Sequence, residues 1–261
     1  MPLKRTLHAL LQKLRMKIIP LSEGSFTIDA SKLFVPFEGG KDVLGERNRG
    51  SLLVEVQPFA VVTLRDVLLI DTGLGYSKDG NLQVYTNLEA NGIDPRDVTK
   101  VLVSHLHKDH AGGISYLDNG GQYHLTFPNA TYYLQKKELN YAFEKGTPSY
   151  IPDELAILQN NLSVTLVDGN GVIDDYIHYE LSGGHCPYHQ AFRIEEEGQI
   201  VFFGGDDAPQ LQQMKSKLMA KYDFDGKKSM ELRQQWWQTG QQQDWTFLFY
   251  HDIKKPIWPV L

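Results

Sequence analysis

Four side chains able to bind a metal ion stand within six consecutive positions of this chain: His105, His107, Asp109 and His110. An apolar run, Val101-Leu102-Val103, leads into them, and Ala111-Gly112-Gly113 follows. In an extended segment residues i and i+2 lie on one side. His105 and His107 can therefore hold one ion together, and Asp109 continues that side. His110 faces away unless the chain turns, which the glycines permit. Four such groups exceed what one tetrahedral ion readily uses, so the spacing implies two ions. A polar loop with coincidental histidines is the bland alternative, and the order His-x-His-x-Asp-His is too specific for it.

Two ions need further ligands, and three candidates each follow an apolar strand. His185 ends Ser182-Gly183-Gly184-His185 after Tyr176–Leu181. Asp206 sits in Gly204-Gly205-Asp206-Asp207 after Ile200–Phe203. His251 follows Trp245–Tyr250. Alone, each reads as a turn residue or a surface histidine; the shared strand-end context groups them. His189, four residues past His185, reads as an ordinary surface histidine unless a family resemblance gives it a supporting role. His8, His124 and His178 have no supporting context and read as surface residues. Trp236-Trp237 reads as packing.

The elements that must position these residues follow from periodicity and turn signals. Residues 17–37 are strand-like, and residues 38–50 form a glycine- and charge-rich loop. Leu52–Val56, Phe59–Leu64 and Val67–Ile70, separated by short breaks, predict an antiparallel meander ending in Asp71-Thr72-Gly73. Residues 81–91 predict a helix stopped by Gly92. The strand 100–103 carries the histidines, and Ile114–Leu117 starts a helix. Ala130–Leu134 is a strand, Gln135–Phe143 a helix, and 151–159 a helix with Pro152 in its first turn. The strands 164–167, 176–181, 190–194 and 200–203 follow. Helices over Gln210–Tyr222 and Lys227–Gln238 come before a last strand, 245–250.

Leucines at 3, 7, 10, 11 and 14 give residues 1–15 the spacing of an amphipathic helical extension. Residues 16–261 then form a single domain, with a helical insertion at about 210–243. The chain of 261 residues is 41% hydrophobic, with a formal net charge of −6. That balance argues against nucleic acid as the main partner. No apolar run reaches the roughly 18 residues of a membrane span, and the expected location is the cytoplasm. A single cysteine, Cys186, excludes an intrachain disulfide.

With these residues in place, the sequence resembles the metallo-β-lactamase superfamily of binuclear metal hydrolases, from Leu69-Ile70-Asp71-Thr72-Gly73 to His251. The resemblance implies an α/β fold, an αββα sandwich of two mixed β-sheets flanked by helices, with the metals at one edge. It implies a first site of His105, His107 and His185, a second of Asp109, His110 and His251, and Asp206 bridging them. It also implies that Asp71 supports the metal loop through a ligand histidine; a turn residue is the alternative. The bridging aspartate separates the chain from the β-lactamases proper, and His107 from the flavodiiron branch, which has Glu there. The ribonuclease branch adds a basic arm that is not found here, and glyoxalase II adds a helical domain after the last ligand.

The form Ser-His-Leu-His-x-Asp-His-Ala-Gly-Gly is that of the N-acyl homoserine lactonases. Several of those carry a tyrosine three residues after the bridging aspartate, where this chain has Pro209. The implied cofactors are two divalent ions, zinc first and iron or manganese as alternatives. The implied chemistry is attack of a metal-bridged hydroxide on the lactone or ester carbonyl of a small molecule, with Asp109 or Asp206 passing the proton to the leaving group. The alternatives are a phosphodiesterase or thioesterase of the same superfamily and, from another class, a non-catalytic metal-bearing binding protein. The extension and the insertion each offer a surface for a homodimer.

Overall fold

In the computed structural model, which describes residues 15–259, the strands that approach the histidines are buried on both faces. Along Val67–Ile70, Leu68 and Ile70 point into one core and Leu69 into another. Leu102 and its neighbour Val101 divide in the same way. Alternation with apolar residues on both sides demands a covering layer on each face. One layer is helical: residues of Gln83–Ala90 and Lys136–Lys145 join Leu69 and Val101. The other is a second sheet, which contributes Ile177, Phe192, Val201, Phe203 and Leu248 to the shared core. Its outer face carries Phe202 and Phe247, packed against Trp236 of the helix Gly226–Gln242. The order is helix, sheet, sheet, helix.

The first sheet has the strand order Lys17–Pro20, Phe59–Val62, Val67–Ile70, Lys100–Leu102, Thr131–Gln135, Val164–Val167. Its first three strands pair antiparallel and the remaining pairs are parallel. The second sheet runs Gly171–Ile173, Ile177–Leu181, Gln190–Glu196, Gln199–Phe203, Thr246–Leu248, Ile257–Trp258. Gln199–Phe203 and Thr246–Leu248 are parallel neighbours. A parallel pair needs a crossover, and residues 204–245 supply it with two helices, Leu211–Met214 and Gly226–Gln242. The two sheets are tied by Asp66: it accepts from the Tyr176 hydroxyl at 2.5 Å and pairs with Lys100 at 2.5 Å, and Lys100 also reaches Asp174 at 3.0 Å.

Four readings change. Leu52–Val56 leaves the expected meander and pairs with Gly24–Ile28, in a three-stranded sheet with Phe34–Pro36. The Gln57-Pro58 break turns the chain from one sheet to another, so only the Phe59–Val62 and Val67–Ile70 hairpin remains of the meander. Ile114–Leu117 does not begin a helix; Ser115–Leu117 is a strand paired with Tyr123–Leu125. A short apolar run has no period that separates the two states. The turn chemistry decides it: Asp118 Oδ1 accepts from Gly120 N at 2.8 Å and Gln122 N at 2.9 Å.

The helix read over Gln210–Tyr222 shrinks to Leu211–Met214, where two apolar side chains are buried. Beyond it the chain is irregular, and Arg233 donates to the Leu218 carbonyl. Finally, Asp109 does not continue an extended side. Lys108–Ala111 is a helical turn, with Ala111 N bonded to the His107 carbonyl at 2.9 Å. The extension read over residues 1–15 falls, up to residue 14, outside the described residues.

Candidate metal centre

Loops from both sheets meet at one edge of the sandwich and bring all seven ligand-type residues together. Two groups form: His105, His107 and His185, then Asp109, His110, Asp206 and His251; within each group the ligand atoms all lie within 4.8 Å of one another.

In the first group, His105 follows the strand Lys100–Leu102. The Ser104 hydroxyl donates to Asp71 Oδ2 at 2.7 Å, so its oxygen accepts from His105 Nδ1 at 3.0 Å. That leaves the His105 Nε2 lone pair facing inward. His185 donates from Nδ1 to Asp223 Oδ1 at 3.0 Å, which also frees Nε2. His107 Nδ1 lies 3.0 Å from His105 Nε2 and 3.1 Å from His185 Nε2. Three ring nitrogens therefore converge where at most one proton can serve two of them.

The second group repeats the arrangement. His110 donates from Nδ1 to Asp71 Oδ2 at 2.8 Å, and His251 from Nδ1 to the Glu55 carbonyl at 2.6 Å. Both Nε2 atoms then point at Asp206 Oδ1, each 3.1 Å away. Asp206 Oδ2 reaches the other group, 3.4 Å from His185 Nε2. The Asp109 carboxylate stands 3.5 Å from His251 Nε2. The helical turn at Lys108–Ala111 is what separates Asp109 and His110 from His105 and His107. The Tyr250 ring stacks on His110 with centroids 4.0 Å apart, and its hydroxyl donates to the Asp109 carbonyl at 2.6 Å.

These residues fit a pair of divalent cations. Four imidazoles have their outer nitrogen held by an acceptor, which is how metal-ligating histidines are oriented. Their inner lone pairs face one another and a carboxylate, and His110 Nε2 and Asp206 Oδ1 are buried with no hydrogen-bond partner among the described residues. Electrostatics agrees. Burial, then the neighbouring imidazoles, holds His105 and His107 neutral. Burial would lower His110 and His251 as well, but the carboxylates around them, Asp206 foremost and Asp109 with it, together outweigh burial and raise both. Burial would raise the Asp206 carboxyl, and His251, His110 and His185 together hold it well below the usual range. Without cations, protons carry the charge balance of the second group, and cation binding must release them.

Several supporting residues were not legible in the sequence. Asp223 lies between the helices read over Gln210–Tyr222 and Lys227–Gln238, and no spacing rule connects it with His185. Asp207 holds the His185 backbone N–H at 2.7 Å, accepts from Ser229 Oγ at 2.6 Å and, through its carbonyl, from Arg233 at 2.7 Å. His189 is fully buried and accepts from Asp206 N at 3.1 Å, so it positions the aspartate without being part of either group. Glu23 accepts from Leu74 N at 2.6 Å and Tyr76 N at 3.1 Å, bracing the loop after Asp71. Asp71 itself is fully buried, with φ at 57°. His124 and His178 lie away from the cluster, beside Asp118 and Glu195. Pro209 offers no side-chain donor; its carbonyl accepts from His251 N at 3.0 Å.

A cleft of about 280 Å³ opens above the two groups. Its floor is His107, Asp109, His185, Asp206 and His251, and Tyr222 stands at one side. Ile28, Phe34, Leu52 and Val54 of the three-stranded sheet form an apolar wall. Strand pairing explains the wall: Ile28 faces both Leu52 and Phe34 across the ladder, which puts the three on one face.

Residues 58–213, more than half of the chain, match the family described as the Metallo-beta-lactamase superfamily. An N-acyl homoserine lactonase, AttM, from Azorhizobium caulinodans is 34% identical over 128 residues, which are 44% of this chain and 43% of the relative. The match thus spans less than half the length of that relative. Among solved structures, a probable metal-dependent hydrolase from Staphylococcus aureus superposes with a TM-score of 0.75 at 22% identity, over 93% of this chain and 91% of the other. AidC, a dizinc quorum-quenching lactonase in complex with its product, gives 0.69 at 17% identity, over 93% and 90%. At these identities the two structures show the shared fold alone.

Proposed function

Because the chain belongs to the metallo-beta-lactamase superfamily, we propose that it is a metal-dependent hydrolase that opens a lactone or ester of a small molecule, in the manner of the N-acyl homoserine lactonases it resembles. The observation that carries this reading is that His110, His185 and His251 turn Nε2 toward Asp206 and His105 turns Nε2 toward His107, each of these four rings fixed by an acceptor on its far side. In the proposed site His105, His107 and His185 would hold one divalent ion and Asp109, His110 and His251 a second, with Asp206 facing both groups. Zinc suits the imidazole and carboxylate donors best.

When bound, such ions supply Lewis acidity and a water of lowered pKa. The chain's own residues do the rest. Asp71, Asp223 and the Glu55 carbonyl lock the imidazoles in one tautomer and one orientation. Both Asp206 oxygens are engaged with histidines. Asp109, with one oxygen directed at His251, keeps its second oxygen to take the proton that the attacking water gives up and pass it to the leaving alkoxide. The wall of Ile28, Phe34, Leu52 and Val54 excludes water from one side of the cleft and offers packing to an acyl chain. No helix among the described residues is long and apolar enough to cross a membrane.

The test is a hydrolysis panel on protein of measured metal content: acyl-homoserine lactones of several lengths, aryl esters, thioesters and bis-aryl phosphates. Lactones or esters should be turned over, and His107→Ala should lose metal and turnover together. Turnover of the phosphates alone would move the assignment to a phosphodiesterase. A fully metallated wild type that hydrolyses none of them refutes the enzyme reading.

A further inference from the structure

The cleft wall is apolar, yet two ammonium groups stand at its mouth. Lys32 lies in the turn between the strands Gly24–Ile28 and Phe34–Pro36, and Lys108 lies in the helical turn between His107 and Asp109. Both line the cleft and both are half-buried. The Lys108 Nζ is 5.9 Å from the centroid of the Phe34 ring, so its charge sits against the apolar wall and is not turned out to bulk water.

Among the described residues neither lysine pairs with a carboxylate within 4.0 Å, although exposed lysines elsewhere, such as Lys41 and Lys137, do. The one other carboxylate of the rim, Asp29, is taken up by its own loop: it accepts from Ser31 N at 2.8 Å, Ser31 Oγ at 2.5 Å and Asn48 Nδ2 at 2.6 Å. The acidic groups of the floor, Asp109 and Asp206, face the imidazoles. Asp109 and Glu154 lie near enough to Lys108 to act on its charge without pairing with it. A partly desolvated cation without a bonded carboxylate is costly to keep, and an anionic ligand group offsets that cost.

We propose that the substrate of this site is amphipathic and anionic, with an apolar portion along Ile28, Phe34, Leu52 and Val54 and a carboxylate or phosphate group between Lys32 and Lys108. This rests on the hydrolase reading for the position of the scissile bond and narrows it: a neutral acyl-homoserine lactone would fill the wall and leave the lysines unpaired. Lys32 and Lys108 act on specificity and touch no reacting atom. Lysine, a compact point charge on a flexible stem, accepts either anion without the planar matching that arginine imposes.

The experiment uses the full zinc-loaded chain and 4-nitrophenyl monoesters of succinic, glutaric, adipic and pimelic acids, each beside the neutral 4-nitrophenyl ester of equal acyl length, with terminal phosphate analogues as a second arm. At one length the anionic ester should exceed its neutral partner at least tenfold in kcat/KM, mainly through KM, and the advantage should shrink between 50 and 500 mM salt, an effect on the order of the screening expected for partly exposed charges. The arm with the larger advantage identifies carboxylate or phosphate. Lys32→Met and Lys108→Met should each cut the anionic-to-neutral ratio about fivefold or more, and Lys32→Glu should bring it below one. Equal rates for both members of every pair, or ratios unmoved by Lys32→Met, overturn the proposal while leaving the hydrolase reading standing. If none of these esters is turned over, the hydrolase reading is decided by the lactone and thioester panel, and the anion site by calorimetry with hexyl phosphate and hexanoate: weaker binding to Lys32→Met than to wild type supports the anion site, and equal binding overturns it.

Discussion

Removing the carboxylate of Asp223 should weaken one of the two proposed metal sites and leave the other intact. Asp223 touches the cluster only through His185 Nδ1, at 3.0 Å. The His185 backbone is held independently: its N–H donates to Asp207 at 2.7 Å and its carbonyl accepts from Phe224 N at 3.0 Å. Asp223→Ala therefore frees the imidazole to rotate and to change tautomer without releasing the loop. A hydrogen bond to a charged group contributes about 1.5–3 kcal/mol. Loss of an outer partner of a metal ligand costs roughly 10–100-fold in affinity, or about 1.4–2.7 kcal/mol, so the two estimates agree. Competition with a chromogenic chelator should show one zinc at wild-type affinity and one weakened by that factor. Asp223→Asn, which can still accept the Nδ1 proton, should recover part of the loss. Two zincs at wild-type affinity in Asp223→Ala would refute the reasoning. Equal weakening of both would mean that the loop had moved, which thermal unfolding of the metal-free variant would reveal.

Two further outcomes test the packing and charge of the same loops. A Cβ on Gly113 would collide with the Thr72 backbone carbonyl, which cannot swing aside as a flexible side chain does, while one on Gly39 would meet nothing within 4 Å. Gly113→Ala should lower stability by on the order of 3 kcal/mol, read as a shift of the denaturant midpoint at unchanged slope, with Gly39→Ala nearly silent; a silent Gly113→Ala would contradict the close approach of the two loops. Burial pushes the Glu23 carboxyl up from 4.5 to about 8, against the bonds it accepts from Leu74 and Tyr76. Between those values the native state keeps a proton that the unfolded chain has lost, so this contribution to stability is full below the unfolded pKa and falls as pH rises toward about 8. The stability of metal-free wild type relative to Glu23→Gln should therefore decline from pH 5 to 8, and a constant difference would show that Glu23 is ionised in the fold throughout.

The seven ligand-type residues were legible because they are written in local patterns, and the four-layer class was implied by the family resemblance those residues carry. His105, His107, Asp109 and His110 are neighbours in the chain, and His185, Asp206 and His251 each close a readable apolar strand. Alternation such as Leu68-Leu69-Ile70 carries the demand for a layer on each face. Strand partners were another matter. Leu52–Val56 satisfies a meander as well as it satisfies pairing with Gly24–Ile28, because pairing energy depends on which edge is available in space and not on the segment. Ile114–Leu117 was misread for a related reason: four residues, three of them apolar, fit a helix or a strand, and the partner Tyr123–Leu125 decides.

Apart from Asp71, whose support of a ligand histidine the resemblance implied, the outer partners of the imidazoles depend on the tertiary structure. Asp223 reaches His185 across 38 positions and Asp71 reaches His110 across 39, while the Glu55 carbonyl reaches His251 across 196. A hydrogen bond between residues so far apart leaves no periodic trace, since any carboxylate or carbonyl brought to 3 Å would serve as well. The sequence by itself determined which side chains can bind metal and, through the family resemblance they carry, the layered sandwich to expect. Only the folded chain decided which way each ring faces, that a helical turn splits the ligands into two groups, and that Lys32 and Lys108 share a cleft with Asp206.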